Sequence, residues 1–429
     1  MIQEIYSKFI ECDKQVTTDT RKIISGCIFF ALKGPNFNGN QFAKDALTKG
    51  AKFAIIDQKE FFIEGKTILV ENVLATLQEL AQFHRNQFEI PVIGITGTNG
   101  KTTTKELIGV VLSSKYNTLI TEGNLNNHIG VPLTLLKINS KHEIAIIEMG
   151  ASKIGDIKEL AEIAMPTHGI ITNIGKAHLE GFGNIENIKK TKLELYNYII
   201  NNDGEIIINQ DDKVLTNEVP SSITTHKYGI KDGSIKGEIL AYNPTIDIRI
   251  NFLDKKNTNI STSLLGGYNL LNIMAAACVG NVFDVSESLI AKSIENYHPT
   301  NNRSQLIKTN KNIIITDCYN ANPSSTLESI NSLNAMDKKN KIAILGDMLE
   351  LGDHSDKEHQ IIVDYLQENK IESFLVGNCY AKTKSIFTNF KNTAELIKHL
   401  EEINLTHYVV LLKGSRGIQL EELLIKNVL

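Results

Sequence analysis

Short apolar runs alternate with longer amphipathic segments along most of the 429-residue chain. Such runs, when they are rich in β-branched residues and separated by helix-length segments, predict buried parallel strands with crossover helices. They occur at residues 28–32, 53–56, 92–96, 144–148, 169–173, 205–209, 313–317, 342–346 and 408–413. Residues 221–260 alternate weakly and contain many turn residues, which predicts antiparallel strands appended to the middle sheet. The pattern therefore predicts an α/β protein in which the α/β unit is built more than once.

Two breaks divide this pattern into three units. Pro91 opens the strand at residues 92–96, so a first unit is predicted over residues 1–90. The polar stretch at residues 298–302 resembles a linker. We therefore expect a central unit over residues 91–300 and a third unit over residues 301–429.

Composition narrows the function classes. The chain has 45 Lys and Arg against 49 Asp and Glu, and a net charge of −4 gives no basic footprint for nucleic acid. No apolar run approaches the roughly 18 residues that a membrane span needs. The five cysteines form no CxxC pair, so neither a zinc site nor a disulfide framework is predicted. The N-terminus lacks the order of a signal peptide, and we expect a cytoplasmic protein.

The strongest local motif is a glycine-rich loop between the strand at residues 92–96 and a predicted helix. Gly97 and Gly100 would let backbone N–H groups close around phosphate oxygens. The helix would present its positive N-terminal end to the same anion. Lys101 can bridge terminal phosphates, and Thr102 offers a hydroxyl to Mg²⁺. This context predicts a nucleoside triphosphate site with Mg²⁺ rather than a chance glycine-rich turn.

Three kinds of titratable side chain follow the loop. Glu148 ends a predicted strand, where a carboxylate lies on the ligand side of a parallel sheet and can hold a metal. A satisfied carboxylate at the edge of the core is the alternative. His178 follows another strand end, and by itself it is equally well explained as a packing or capping residue. Lys192 lies with Lys189 and Lys190 on a predicted helix, where spacing alone indicates a solvated basic face.

With these residues assembled, the chain resembles the Mur ligase superfamily of ATP-dependent enzymes that form amide bonds. The loop at residues 96–102 has the form which that superfamily uses, and this accounts for Ile95 where the general pattern has glycine. Residues 316–323 resemble the signature of the branch that adds D-alanyl-D-alanine to UDP-N-acetylmuramoyl-tripeptide. The resemblance covers essentially the whole chain. It implies a small α/β N-terminal domain, a central phosphate-loop domain with a mostly parallel sheet, and a C-terminal Rossmann-like domain.

The resemblance also implies roles for individual residues. The catalytic residues would be Lys101, Glu148, His178 and Lys192. Two Mg²⁺ ions would be held by Thr102, Glu148, His178 and a carbamylated Lys192. The ATP-binding residues would be Gly97, Thr98, Asn99, Gly100, Lys101, Thr102, Thr103, Asn269, Asn272, Arg303, Asp317 and Tyr319. The substrate-binding residues would be Thr20, Arg21, Asn124, Asn126, Asn127, Asn320, Asn322, Lys413, Ser415 and Arg416. Without the resemblance, Arg21 is equally well explained as closing a turn with Asp19.

By the same resemblance, the tripeptide carboxylate attacks the γ-phosphorus of ATP, and the amine of D-alanyl-D-alanine attacks the resulting acyl phosphate. The base for the amine stays open between His354, His359 and a phosphate oxygen. Because the third unit must close onto the central one, we predict a hinge near residues 298–303. We also expect a monomer. Two alternatives stay open: another amide ligase of the superfamily, such as the type that adds the third residue, and a non-catalytic nucleotide-binding module.

Overall fold

The computed structural model describes residues 1–252, 257–299 and 304–429. In this part of the chain, sheets of four, nine and six strands follow one another in sequence, together with a two-stranded hairpin. Each of the nine predicted apolar runs forms a strand, to within two residues at either end. The α/β class is therefore confirmed. The unit boundaries at residues 90 and 300 stay predictions, and Arg303 and most of the proposed hinge lie outside the described residues.

The first unit is a parallel four-stranded sheet in the order β1-β2-β5-β6. Its elements are α1 (Ile2–Glu11), β1 (Val16–Thr17), β2 (Ile28–Phe30), β3 (Lys33–Gly34), β4 (Phe37–Asn38), α2 (Ala43–Thr48), β5 (Phe53–Ile56), β6 (Thr67–Leu69) and α3 (Val73–Arg85). Strands β3 and β4 form the separate hairpin. One apolar core continues from this sheet into the central unit, so the two units pack against each other through α3.

The buried His84 of α3 fixes this contact. Its Nε2 lies 2.8 Å from the carbonyl oxygen of Ile138 in the central unit, and its Nδ1 lies 3.2 Å from the Tyr6 hydroxyl. A carbonyl oxygen only accepts, so Nε2 carries the proton and Nδ1 accepts from the tyrosine. Burial lowers the pKa of His84. The residue is therefore a neutral, fully hydrogen-bonded link between the two units.

The central unit has nine strands in the order β15-β14-β13-β12-β11-β10-β7-β9-β8. Its first half contains β7 (Val92–Thr96), α4 (Lys101–Ser113), β8 (Thr118–Ile120), α5 (Gly130–Leu135), β9 (Ile144–Glu148), α6 (Asp156–Ala164), β10 (His168–Ile171), α7 (Leu179–Phe182) and α8 (Ile185–Asn201). Its second half contains β11 (Glu205–Asn209), α9 (Lys213–Thr216), β12 (Thr225–Gly229), β13 (Ile235–Asn243), β14 (Thr245–Phe252), β15 (Thr258–Leu265), α10 (Asn269–Val282) and α11 (Glu287–Glu295). All five residues of β7 are buried, as expected of a strand with helices on both faces.

Antiparallel pairing in this sheet begins at β13, which pairs with β14, and β14 pairs in turn with β15. The prediction of antiparallel strands appended to the middle sheet is confirmed for these three strands. It is wrong for β12, which pairs in parallel with β11. The residues before β12 have no hydrophobic periodicity that would indicate the direction of this strand in the sheet.

The third unit is a six-stranded sheet in the order β16-β17-β21-β18-β19-β20. Its elements are β16 (Gln305–Lys308), β17 (Ile313–Asp317), α12 (Pro323–Ala335), β18 (Lys341–Gly346), α13 (Ser355–Glu368), β19 (Ser373–Val376), β20 (Thr388–Phe390), α14 (Thr393–Ile403), β21 (Val409–Lys413) and α15 (Glu422–Ile425). Only β16 pairs in the antiparallel sense. Among the described helices, none combines the length and apolar character needed to cross a membrane.

Candidate active site

A cavity of about 550 Å³ lies between the central and third units. The carboxyl ends of β7 and β9 reach it from the central sheet, and those of β17 and β21 reach it from the third sheet. The predicted site residues that line it are Thr98, Asn99, Gly100, Lys101, Thr102, Thr103, Asn124, Asn126, Asn127, Glu148, His178, Asn269, Asn272, Asp317, Tyr319, Asn320, Asn322 and Lys413. The topology therefore brings together side chains from both units at one edge, which is where parallel sheets bind ligands.

Two glycines of the phosphate loop are required by its geometry. Gly97 has a φ of +145°, and a Cβ there would lie 1.9 Å from the Thr172 hydroxyl oxygen. Gly100 has a φ of +79°, and a Cβ there would lie 2.5 Å from Oδ1 of Asn272. The loop can therefore run this close to its neighbours only without side chains at these positions. Helix α4 begins directly after Gly100, so its N-terminal end faces the cavity.

The segment that follows β10 holds the loop in place. The backbone N–H of Asn99 donates to Oδ1 of Asn173 at 3.0 Å, and the Thr172 hydroxyl donates to the carbonyl oxygen of Asn99 at 2.6 Å. The Thr98 hydroxyl exchanges hydrogen bonds with the backbone of Gly175. Lys101 Nζ donates to the loop carbonyls of residues 97 and 98 at 2.7 and 2.9 Å. The ammonium group therefore lies on the loop that would bind phosphates.

Glu148 is 1% exposed at the end of β9. Its Oε1 accepts hydrogen bonds from the Thr102 hydroxyl at 3.2 Å and from Nδ2 of Asn126 at 2.8 Å. Its Oε2 is buried and has no hydrogen-bond partner among the described residues. A buried carboxylate oxygen without a partner is costly. The atom fits a hard cation, because Mg²⁺ prefers oxygen ligands of this kind.

The structure buries Lys192, whereas its spacing alone indicated a solvated face. Lys192 is 3% exposed on α8 and is not among the residues that line the cavity. Burial, followed by the nearby positive charge of Lys101, lowers the pKa of Lys192 well below its ordinary value. Lys189, in contrast, pairs with Glu218 at 2.6 Å. One lysine of the helix is therefore chemically distinct, and its position next to Lys101 connects it to the phosphate loop.

His178 precedes α7, and its Nδ1 lies 2.5 Å from Oε2 of Glu350 in the third unit. The hydrogen bond from His178 lowers the pKa of Glu350. Both residues line the cavity, as does Glu148. His178 occupies the N-cap position of α7, but its side chain makes no capping hydrogen bond and is 32% exposed, so neither core packing nor side-chain capping accounts for it. It is a polar cavity residue that also contacts the third unit.

Two asparagines lie on one face of α10, and one of them, Asn272, contacts the phosphate-loop helix. Asn272 Nδ2 donates to Oδ1 of Asn269 at 2.8 Å, and Asn272 Oδ1 accepts from the Thr104 hydroxyl at 3.1 Å. Tyr268 precedes them, and its hydroxyl lies 2.7 Å from Oγ of Ser304. The contact between Asn269 and Asn272, three residues apart, places both amides on one face of α10.

An ion pair anchors the third unit's part of the cavity. Lys413 Nζ lies 2.7 Å from Oδ2 of Asp317, which also accepts from the Ser329 hydroxyl at 2.8 Å. Lys413 is 3% exposed, and it also donates to the carbonyl oxygen of Asn320 at 3.0 Å. The pair fixes the carboxylate at the cavity edge and orders the turn that leads into α12.

The third unit also contacts the phosphate loop directly. Asn322 Nδ2 donates to Oδ1 of Asn99 at 2.8 Å, while Asn322 Oδ1 caps α12 by accepting from the N–H of Ser325 at 2.9 Å. A second contact joins Lys176 to Glu358 at 2.6 Å. The described structure is therefore a closed arrangement in which both units border the same cavity.

Several predicted residues lie away from the cavity. Arg21 pairs with Asp19 at 2.8 Å in the turn at Thr20–Lys22, and this hydrogen bond lowers the pKa of Asp19 to about 2. This is the contact expected if Arg21 closes a turn with Asp19, which was the alternative to substrate binding. Ser415 is buried and accepts from the N–H of Leu349 at 2.9 Å. The other predicted residues that do not line the cavity are Gly97, Thr20, Lys192 and Arg416.

Neither candidate histidine base lines the cavity. His359 is buried, and its Nε2 accepts from the N–H of Met348 at 3.0 Å while its Nδ1 lies 2.7 Å from the carbonyl oxygen of Ser355. Both of its ring nitrogens are therefore occupied. Asp347, His359 and Cys379 lie within metal-binding distance of one another, but a histidine with no available lone pair is a structural residue. The structure therefore does not support His359 as the base.

Sequence reasoning missed the residues that join the units. Glu350 contacts His178 at the cavity, and Lys176 pairs with Glu358 between the same two units, but no motif marks these side chains as partners. Glu350 is followed two residues later by Gly352 in a turn-forming stretch, which was the only signal that this residue occupies an unusual backbone position. Contacts between distant units cannot be read from local periodicity.

Comparison with known proteins covers nearly the whole chain. Residues 14–92 match the Mur ligase family catalytic domain, residues 95–280 the Mur ligase middle domain, and residues 302–416 the Mur ligase glutamate ligase domain. A similar relative is the UDP-N-acetylmuramoyl-tripeptide–D-alanyl-D-alanine ligase of Bacillus subtilis, which is 33% identical over 95% of this chain and 92% of the relative.

Two solved structures are also similar. The MurF structure from Acinetobacter baumannii is 30% identical, with a TM-score of 0.87 over 96% of this chain and 93% of that chain. The MurF ligase from Thermotoga maritima, solved in complex with ADP, is 29% identical, with a TM-score of 0.86 over 96% of this chain and 97% of that chain. The chain thus has the three Mur ligase domains in sequence and shares its fold with these structures over 96% of its length.

Proposed function

Since the chain belongs to the Mur ligase family, we propose that it joins D-alanyl-D-alanine to UDP-N-acetylmuramoyl-tripeptide at the expense of ATP. The product is the pentapeptide precursor of peptidoglycan. One observation supports this assignment above the others: a triphosphate-binding loop and residues 317–322 of the third unit border the same cavity. The cavity can therefore hold a nucleotide next to the groups that the incoming dipeptide would meet.

The reaction consists of two transfers. A carboxylate oxygen of the tripeptide attacks the γ-phosphorus of ATP, the bond to the bridging oxygen breaks, and ADP leaves. The dipeptide amine then attacks the carbonyl carbon of the acyl phosphate, loses a proton, and expels inorganic phosphate. Lys101 and the loop N–H groups stabilise the negative charge, and both units hold the reactants in place. Of the three candidate bases, we propose a phosphate oxygen, since neither His354 nor His359 lines the cavity.

Four side chains are proposed to hold Mg²⁺: Thr102, Glu148, His178 and a carbamylated Lys192. The donor set fits the ion, because it offers a hydroxyl, a buried carboxylate oxygen without a hydrogen-bond partner, an imidazole and a second anionic oxygen. When bound, Mg²⁺ neutralises charge on the phosphate oxygens. Thr102 and Glu148 are already hydrogen-bonded to each other at 3.2 Å, so two of the proposed ligands are held together by the fold.

We propose the carbamate on Lys192 because this amine is buried next to Lys101. A neutral amine attacks CO₂ through its lone pair and releases a proton, so an environment that disfavours the ammonium form favours the carbamate. The new anionic group would then face the positive charge of Lys101. A ¹³C NMR spectrum with labelled bicarbonate should show a carbamate signal in the wild type and in Lys189→Met, but none in Lys192→Met. A signal that persists in Lys192→Met would contradict the assignment.

The first unit is proposed to bind the UDP-sugar, with Thr20 and Arg21 as contacts. The present pairing of Arg21 with Asp19 gives the guanidinium a fixed orientation from which it could bind a phosphate or carboxylate. Arg21→Ala should raise the KM for the UDP-tripeptide at least tenfold with kcat little changed. If the KM is unchanged and only stability falls, the residue closes a turn and does nothing more.

The overall activity is tested by release of inorganic phosphate. We expect release only when the tripeptide precursor, D-alanyl-D-alanine and ATP are all present, and loss of release in Lys101→Met. Lys44→Met changes an exposed lysine of the first unit and is the matched control. Release with the precursor and a single amino acid would support the third-residue type, and no release with any acceptor would support a nucleotide-binding module.

The remaining assignments concern assembly and location. We propose that the enzyme acts as a monomer, because residues of a single chain border the cavity on both sides. Its dependence on ATP and a UDP-linked substrate leads us to propose the cytoplasm as its location. Sedimentation at catalytic concentration should give one species at the mass of a single chain.

A further inference from the structure

The contact between His178 and Glu350 is strained on both sides. His178 has a φ of +49° and Glu350 has a φ of +64°, so both residues occupy the left-handed region although neither is glycine. Such a conformation is unfavourable for a residue that has a Cβ. The side chains meet at 2.5 Å, and the carbonyl oxygen of Glu350 also accepts from the N–H of Glu180 at 3.1 Å. Two strained residues from different units are thus held against each other at the cavity.

The contact has a direct consequence for the imidazole. A carboxylate only accepts hydrogen bonds, so Nδ1 of His178 carries the proton that points to Glu350. In the neutral ring, Nε2 then has the lone pair. An imidazole that donates one N–H to a carboxylate and offers its other nitrogen is the form in which histidine binds metals. The third unit therefore determines which nitrogen of His178 is available.

We propose that Glu350 is a positioning residue for His178, and that the histidine becomes a competent Mg²⁺ ligand only when the third unit closes. The proposal rests on the proposed function, because it takes His178 as a metal ligand. In the open chain the imidazole would have no fixed tautomer or direction. Closure would therefore complete one metal site at the moment when both units border the nucleotide. Binding of this ion would therefore depend on closure of the third unit onto the central unit.

A second ion pair across the units supplies a control. Lys176 and Glu358 meet at 2.6 Å, and the Glu358 side chain is 5% exposed. This pair joins the same two units, but in the described part of the chain neither side chain forms a hydrogen bond or ion pair with His178. Glu358→Gln removes one contact between the units and leaves the His178–Glu350 contact that orients the imidazole, whereas Glu350→Ala removes that contact itself. The comparison separates a general effect on docking from a specific effect on the histidine.

The experiment is a Mn²⁺ titration followed by electron paramagnetic resonance, on the full chain with a β,γ-methylene analogue of ATP. We expect two bound ions in the wild type. Glu350→Ala should weaken the second ion about 10- to 100-fold, the range typical for loss of a carboxylate behind a metal-binding histidine. Glu350→Gln keeps an oxygen that can accept from Nδ1 and should retain more affinity than the alanine variant. Glu358→Gln should bind both ions like the wild type, because the contact between Glu350 and His178 is still present.

A double substitution tests whether Glu350 acts through the histidine. In a His178→Ala background, Glu350→Ala should cause no further loss of Mn²⁺ affinity, since the two residues form one unit. Unaltered Mn²⁺ binding in Glu350→Ala, or equal weakening in Glu358→Gln, would overturn the proposal. If Glu350→Ala unfolds at a lower temperature, Glu350→Gln is titrated instead, and its second ion should bind more weakly than in the wild type and in Glu358→Gln. Absence of phosphate release by the wild type would instead overturn the proposed function, and the Mn²⁺ titration would distinguish the two failures.

Discussion

The Asn322 side chain makes two hydrogen bonds of different kinds, and a single substitution can remove one of them and keep the other. Its Oδ1 caps α12 by accepting from the N–H of Ser325, and its Nδ2 donates to Asn99 of the phosphate loop at 2.8 Å. Serine caps a helix about as well as asparagine does, but it has no amide donor. Asn322→Ser should therefore keep the helix cap and lose the contact between the third unit and the loop. Its unfolding free energy should stay within about 0.5 kcal/mol of the wild type.

The expected size of the effect follows from the contact that is lost. A hydrogen bond between neutral groups contributes about 0.5–1.5 kcal/mol net. At about 1.4 kcal/mol per tenfold change, the closed form should lose a factor of about 2 to 13 relative to the open form. The value of kcat/KM for ATP should fall by up to the same factor. Asn322→Ala should show this loss together with about 0.5–2 kcal/mol of lost stability, because it also removes the cap.

Three measurements check this prediction. Small-angle scattering with an ATP analogue reports closure, phosphate release gives kcat/KM, and urea unfolding gives stability. Asn99→Ala should reproduce the kinetic loss of Asn322→Ser, and the double variant should lose no more than either single variant. The reasoning would be refuted if Asn322→Ser closed and turned over like the wild type, or if it lost as much stability as Asn322→Ala.

Three further substitutions test other parts of the structure. Gly97→Ala should weaken ADP binding about 5- to 150-fold in calorimetry, because it adds about 1–3 kcal/mol of loop strain next to Thr172. Gly34→Ala is the control and should bind ADP normally, because a Cβ at Gly34 has no atom within 4 Å. Burial lowers the pKa of His84, so the folded chain binds fewer protons than the unfolded chain, and the free energy of unfolding should fall as the pH drops through about 6.5. His84→Gln should make this decline shallower in thermal unfolding. An equal slope in the variant and the wild type would contradict the assignment. Lys413→Met should cost about 1–3 kcal/mol in urea unfolding, because it leaves the partly buried carboxylate of Asp317 without a counter-charge. An unchanged midpoint would show that the pair is not a stabilising contact.

The strands and the phosphate loop could be predicted because their signals are local. The five buried residues of β7 form a continuous apolar run, and the loop glycines follow it directly. Periodicity and turn chemistry act over a few residues, so they are visible in the chain itself. The position of Glu148 at the ligand edge was predictable for the same reason, because β9 ends at that residue.

The remaining parts of the site depend on contacts that have no local signal. Asn322 and Asn99 are 223 residues apart, and Lys176 and Glu358 are 182 residues apart. The burial of Lys192 is also a tertiary property, since its helix reads as basic and solvated until α6 packs against it. Only the resemblance to a known superfamily distinguished Lys192 from its neighbours. The packing of the structure then explains physically why Lys192 differs from the neighbouring lysines, because it buries this side chain.

The segment that follows β10 connects the nucleotide loop to the third unit. Thr172 and Asn173 hold the loop backbone by hydrogen bonds, and a few residues later Lys176 and His178 pair with carboxylates of the third unit. A shift of the third unit therefore acts on the same short segment that fixes the phosphate loop. The nucleotide and the proposed metal ligands are consequently not independent of closure. An enzyme built in this way would transfer phosphate efficiently only when the unit that brings the second substrate has docked, which limits the loss of ATP to water.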